Sequence, residues 1–141
     1  MKVYWDSSAA INAIVSKSVW SRLSADEHFT RSHLFSEVFA IMTGRGIVAL
    51  DQHGNPGRLV MTSNDAAAWL AGFASHVKLV ELDGPELLAA LGNAQSQNVV
   101  GARVYDYIHA LAADKAGADV LLTRNTKDFQ SAGGAARVEW P

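Results

Sequence analysis

The chain has 141 residues, a formal charge of −2 at neutral pH and an apolar fraction of 49%. That apolar share is enough to bury the core of one ordinary domain over residues 1–141, and the slightly acidic balance excludes a protein that coats nucleic acid by bulk charge. There is no cysteine, which excludes disulfides, thiolate metal sites and a cysteine nucleophile; with no secretory leader at the start and no apolar run of about 18 residues, a cytoplasmic protein that does not enter a membrane is expected.

Val3-Tyr4-Trp5 is a short apolar run that suits a buried strand, closed by Asp6. Ser7 and Ser8 open a helix with Ala9, Ala10, Ile11, Ala13, Ile14 and Val15 at helical spacing. Residues 19–23 read as a second short helix and residues 28–31 as a weak strand. Ser32 is expected to cap a helix running to about Thr43, with Gly44 at its end and Glu37 set among Leu34, Phe35, Val38 and Phe39. Residues 47–50 and 58–61 flank His53-Gly54-Asn55-Pro56-Gly57, turn chemistry that predicts a hairpin insertion near residues 46–61. Ser63 or Asn64 then caps a helix to about Ser75. A strand follows over 77–82, and Asp83 with Pro85 just inside opens a helix to about Ala94. A helix over 102–116 precedes a strand over 119–123, a loop with a short helical turn over 124–136 and a last strand over 137–140. Strands alternating with helices predict an α/β fold whose mostly parallel sheet is covered on both faces.

Acids recur at the ends of the apolar runs. They are Asp6, Glu37, Asp106 in Val104-Tyr105-Asp106, and Asp128, which with Asn125 lies just past a strand in Leu122-Thr123-Arg124-Asn125-Thr126-Lys127-Asp128-Phe129. In an open α/β sheet the strand ends and the helices beside them converge on one crevice. Carboxylates gathered there repel one another unless they share a cation, and oxygen donors of this kind suit a hard divalent metal. Each acid also has a plainer reading: Asp6 as a helix cap, Glu37 on a solvated helix face, Asp106 complementing a helix dipole, Asp128 in a loop. Ser8 and Thr123 are placed to hydrogen-bond the acids, or else to cap a helix and pack a strand end. Arg103, Arg124 and Lys127 read as phosphate contacts or as ordinary solvated charges. None of the five histidines (His28, His33, His53, His76, His109) forms a His-x-x-x-His pair, which disfavours a zinc hydrolase; His109, three residues after Asp106, reads as a packed or surface side chain. No Gly-x-Gly-x-x-Gly follows the first strand, and Ser8 stands where a haloacid-dehalogenase-like phosphatase needs a second Asp.

Taken together, these motifs resemble the PIN domain, and within it the VapC-type toxins of bacterial toxin–antitoxin pairs. The resemblance spans nearly the whole chain, and the run from Leu122 to Phe129 is its most specific part. It implies a PIN-like three-layer α/β/α fold and a metal-dependent endoribonuclease. Asp6, Glu37 and Asp106 would form the acidic core around Mg²⁺ or Mn²⁺, with Asn125 or Asp128 in the fourth place. Many relatives carry Asp where this chain has Asn125, whose amide offers a carbonyl oxygen but no charge. Such a site activates water and offsets charge on the phosphodiester, so 5′-phosphate and 3′-hydroxyl ends are expected. The resemblance also implies an RNA substrate, a small VapB-like antitoxin whose tail fills the crevice, and a homodimer. The stretch between Glu37 and Asp106 is longer than a compact member of that family needs, and the hairpin is the expected addition. A second class of function stays open: a degenerate PIN module that binds RNA or a protein partner without cutting, which Asn125 favours.

Overall fold

A computed structural model of the chain describes residues 1–16, 25–131 and 134–141; the helix expected over residues 19–23 lies outside them. The described elements run β1 (Lys2–Trp5), α1 (Ser7–Val15), β2 (Glu27–Thr30), α2 (His33–Thr43), β3 (Ile47–Leu50), β4 (Pro56–Leu59), α3 (Ser63–Ala74), β5 (Lys78–Leu79), α4 (Gly84–Gly92), a 3₁₀ turn (Gln95–Gln97), α5 (Arg103–Ala116), β6 (Val120–Leu122), α6 (Thr126–Ser131) and β7 (Arg137–Glu139). Five strands form one sheet in the order β5-β2-β1-β6-β7, and every neighbouring pair in it is parallel. Antiparallel pairing is confined to the separate β3–β4 hairpin.

The layers follow from the alternation of side chains along the central strands. Val3 and Trp5 of β1 and Val120 and Leu122 of β6 point into a core with α1, α2 and α3, through Ala9, Ala10, Ala13, Leu34, Val38, Met42 and Phe73. Tyr4 and Leu121 point the other way, onto Ala110, Ala112 and Ala113 of α5 and Phe129 of α6. Small alanines on α5 let that helix approach the sheet closely. The α/β/α class expected from the sequence, with its PIN-like arrangement, is therefore the one observed, and the "mostly parallel" sheet is wholly parallel among the described strands.

Several local boundaries differ from the sequence reading. Asp6 itself, not a serine, caps α1, its carboxylate accepting from the Ala9 N–H. Thr62 rather than Ser63 or Asn64 caps α3. The strand expected over 77–82 shrinks to Lys78–Leu79, because only the amino-terminal part of that run finds a partner, on β2. Asp83 and Glu86 form the reciprocal capping box that opens α4. The short helical turn expected in the loop after β6 is the helix Thr126–Ser131. In the hairpin the second strand starts at Pro56, with Ile47 opposite Leu59 and Leu50 opposite Pro56; a two-stranded ribbon tolerates Pro because the ring faces an unpaired edge.

The hairpin is fastened to α2 at both ends. Gly46 N donates to Ile41 O at 2.7 Å and Met61 N to Met42 O at 2.8 Å. Gly46 has φ of +67°, and a Cβ there would collide with the Leu59 carbonyl, so only glycine fits. No helix among the described residues is long and apolar enough to cross a membrane.

Candidate functional site

The carboxyl ends of β1 and β6 carry the first group of site residues. The β1–β6 ladder runs one residue past the strands, with Asp6 N donating to Leu122 O at 3.2 Å. This sets Asp6 and Thr123 side by side, and both are buried. Thr123 Oγ1 donates to Asp6 Oδ2 at 2.6 Å. Ser8 Oγ stands 2.8 and 3.0 Å from the two carboxylate oxygens, and Ala9 N donates to Oδ1 at 2.8 Å. Asp6 is thus a helix cap and a cleft acid at once; the two sequence readings are not alternatives. Burial pushes its carboxyl above the ordinary range, against the pull of Thr123, Ala9, His109 and Ser8. The surrounding donors reduce the penalty of a buried carboxylate but do not remove it.

Glu37 enters from α2. Ser7 Oγ donates to its Oε2, and His33, one turn earlier, approaches Oε1 at 3.1 Å. His109 Nε2 stands 3.7 Å from Oε2, too far for a hydrogen bond, and has no other partner in the structure's described residues. The other ring nitrogen, Nδ1, lies 2.9 Å from the Tyr4 hydroxyl. Burial pushes the Tyr4 phenol up, so the phenol keeps its proton in this contact. Burial would raise the Glu37 carboxyl, but His109, His33 and Arg31 together hold it below the ordinary range.

Asp106 sits in the first turn of α5, half-buried. Its carboxyl is raised by burial first, and then by the charges of Asp6 and Asp128, with Glu37 adding to them. Asn125 connects the acids on this side: Nδ2 lies 3.5 Å from Asp106 Oδ2 and 2.6 Å from Asp128 Oδ2, while its backbone N–H donates to Thr123 Oγ1 at 2.9 Å.

Asp6, Glu37, Asp106 and Asn125 therefore line one open cleft of about 500 Å³, together with Ser7, Ser8, Tyr105 and His109. Asp128 stands outside that lining, bonded to Asn125. Thr123 stands behind Asp6. Arg124 lies outside the cleft lining; its backbone N–H donates to Ser8 Oγ at 2.8 Å and its guanidinium stands over the Trp140 ring. Lys127 and Arg103 are exposed and also lie outside the lining. Sequence reasoning missed Ser7, His33, Tyr105 and Arg45. The i,i+4 spacing of His33 and Glu37 was a usable signal. The others approach the cleft only through tertiary packing: Tyr105, half-exposed, stacks on His33 with centroids 5.6 Å apart and planes 12° off parallel.

No three of the described His, Asp and Glu side chains stand as a ready metal set. The chemistry of the donors nonetheless fits a hard cation. The charges of Asp6 and Asp128 raise the Asp106 carboxyl, the Asn125 amide hydrogens lie where a cation would neutralise Asp106 and Asp128, and Mg²⁺ bridges gaps between carboxylates with its own waters.

An α/β protein with a parallel sheet and an acidic cleft at the carboxyl ends of its strands falls in the PIN-like class of folds. Among solved structures, the chain is similar to one chain of VapBC-1 from nontypeable Haemophilus influenzae, with a TM-score of 0.63 and 15% sequence identity, covering 99% of this chain and 98% of that one. At that identity the likeness is one of fold. No family model and no curated protein sequence matches the chain.

Proposed function

We propose that this protein is a Mg²⁺- or Mn²⁺-dependent endoribonuclease of the VapC type. The observation that carries the reading is the meeting of Asp6, Glu37, Asp106 and Asn125, from four distant parts of the sequence, in one cleft. The fold likeness to a VapBC-1 chain supports it.

In this reading Asp6, Glu37 and Asp106 hold the metal, with Asn125 Oδ1 or Asp128 in the fourth place once the amide turns. When bound, the metal supplies an acidified water and offsets charge on the phosphodiester. The chain's own residues do the rest. Ser8, Thr123 and the Ala9 N–H fix the Asp6 carboxylate. Ser7 and the two histidines hold Glu37 ionised, ready as a ligand. Asp106, with its raised carboxyl, is the member that gains most from a cation. Water attack leaves 5′-phosphate and 3′-hydroxyl ends. A cognate antitoxin and a homodimer belong to the same reading, as does activity in the cytoplasm.

The test is incubation of purified protein with a mixed RNA pool in Mn²⁺, in EDTA, and as Asp6→Asn. Cleavage that requires metal and Asp6, with ligatable 5′-phosphate ends, supports the nuclease. Asn125 favours the other reading, a module that binds without cutting, since its amide already bridges Asp106 and Asp128. RNA retention in Mn²⁺ with no new ends would select that reading.

A further inference from the structure

We propose that Arg45, Arg58 and Arg124 line a groove for the phosphate backbone of the single-stranded RNA that leads into the acidic cleft, an inference that rests on the RNA substrate of the reading above but not on cutting.

A second hollow, of about 440 Å³, lies beside the cleft and includes all three arginines. The two share Ser8, Ile11, Ile41 and Arg45, so the basic groove and the acidic cleft are continuous. The arginines come from three segments: Arg45 just past α2, Arg58 in β4, Arg124 just past β6. Their partners are neutral. Arg58 Nη1 donates to the Arg45 carbonyl, and the Arg124 guanidinium stands 5.3 Å from the Trp140 ring centroid. None of the three takes part in an ion pair among the described residues, whereas Lys78, Lys115 and Arg137 are each matched to a glutamate.

Three guanidinium groups around one hollow of a protein of net charge −2 are arranged against their mutual repulsion, which acts over about 8 Å at physiological salt. Such an arrangement favours an anion with several acceptor oxygens, and guanidinium forks match phosphate bidentately. The floor is apolar, formed by Ile11, Ile41 and Ile47, and suits ribose and base edges. An acidic peptide would satisfy the arginines equally well, but its next carboxylates would run into Asp6, Glu37 and Asp106. A nucleic-acid strand reaches those acids through the metal that its own phosphates help to bind. Placement is built into the backbone: Gly46 takes the turn that no other residue fits, and the hairpin is bonded to α2, the helix that carries Glu37.

The experiment is fluorescence anisotropy of a labelled 12-nucleotide RNA in EDTA over a salt series, with the unaltered chain and with Arg45→Ala, Arg58→Ala, Arg124→Ala and the three Lys counterparts. Each Ala change is expected to weaken binding about tenfold and to lower the log–log salt slope by about 0.7; Lys restores the slope. The six variants should keep the melting midpoint of the unaltered chain, which separates loss of binding from loss of fold. Equal affinity and slope in all Ala variants overturns the groove while leaving cleavage by the unaltered chain intact. Binding with the expected slopes, but no cleavage in Mn²⁺, upholds the groove and overturns the nuclease. No RNA binding by the unaltered chain overturns the groove. A poly-glutamate peptide that binds more tightly than the RNA, and loses affinity in the Ala variants, overturns it in favour of an acidic protein partner.

Discussion

The two sides of the cleft are built on opposite principles. On the β1–β6 side, Asp6 is 5% exposed and Thr123 is fully buried, and the carboxylate is held by Ala9, Ser8 and Thr123. On the α5–α6 side, Asp106 is half-buried and its carboxylate meets the Asn125 amide at 3.5 Å. One acid is fixed by the fold whether or not a ligand is present. The other is raised by burial and by its neighbours' charges, and has its geometry left open. The difference assigns the first to shape and the second to response: a cation should change Asp106 far more than Asp6.

The largest effect that sharpens this contrast is on activity. Asp6→Asn is expected to lower kcat by more than about a hundredfold, beyond the loss typical of residues that only support a ligand. The same change removes a buried charge, so the metal-free variant should melt no lower than the parent; a marked drop in its midpoint would show that the charge itself stabilises the strand end. Next comes Thr123→Val. It strips a buried carboxylate of its shortest hydrogen bond and should destabilise the chain by about 1–3 kcal/mol in denaturant titrations. Asn125→Ala, on the open side, should change stability by less than about 0.5 kcal/mol; equal losses for the two would erase the contrast. Asn125→Asp adds charge where the site is loose, and Mn²⁺ affinity, read from metal-dependent melting, should tighten about tenfold.

The smallest effect is on pH. Asp6 and Asp106 have raised carboxyls, by burial in the first and by burial and neighbouring acids in the second. A group whose folded pKa is raised binds its proton more tightly in the folded chain. Its stabilisation is present at low pH and is lost as pH rises through the raised value. Glu37, lowered by the histidines against its burial, works in the opposite sense and loses its contribution as pH falls through its own lower value. Mild acidification of the metal-free chain from neutrality should therefore raise the melting midpoint, before a fall at lower pH. Saturating Mg²⁺ should flatten the rise. A midpoint that only falls on acidification would count against both raised carboxyls.

The sequence displayed the α/β order and the acids because both depend on local pattern: alternation in Val3-Tyr4-Trp5, helical spacing in Ala9 to Val15, and the run from Leu122 to Phe129. It hid what depends on distance. Asp6 read as either a cap or a cleft acid, yet one carboxylate does both, because the strand end and the helix start are the same residue. Arg45 carried no motif, since its approach to the cleft comes from the Gly46 turn and the hairpin's bonds to α2. Tyr105 reached the rim only through its stack on His33. Only a short helical turn was legible in residues 124–136, because the polar composition of Thr126–Ser131 hides its buried anchor, Phe129.

The central strand has a further consequence for timing. β1 pairs with β6, which lies more than a hundred residues later in the chain, and Lys2 N is bonded to Asp119 Oδ2 across 117 positions. Long-range parallel pairing forms late in folding. A nascent chain that stops short of β6 has Asp6, Glu37 and Asp106 but nothing to set Thr123 and Asn125 against them. The acidic cleft is therefore complete only once β6 has paired with β1 and set Thr123 and Asn125 against Asp6.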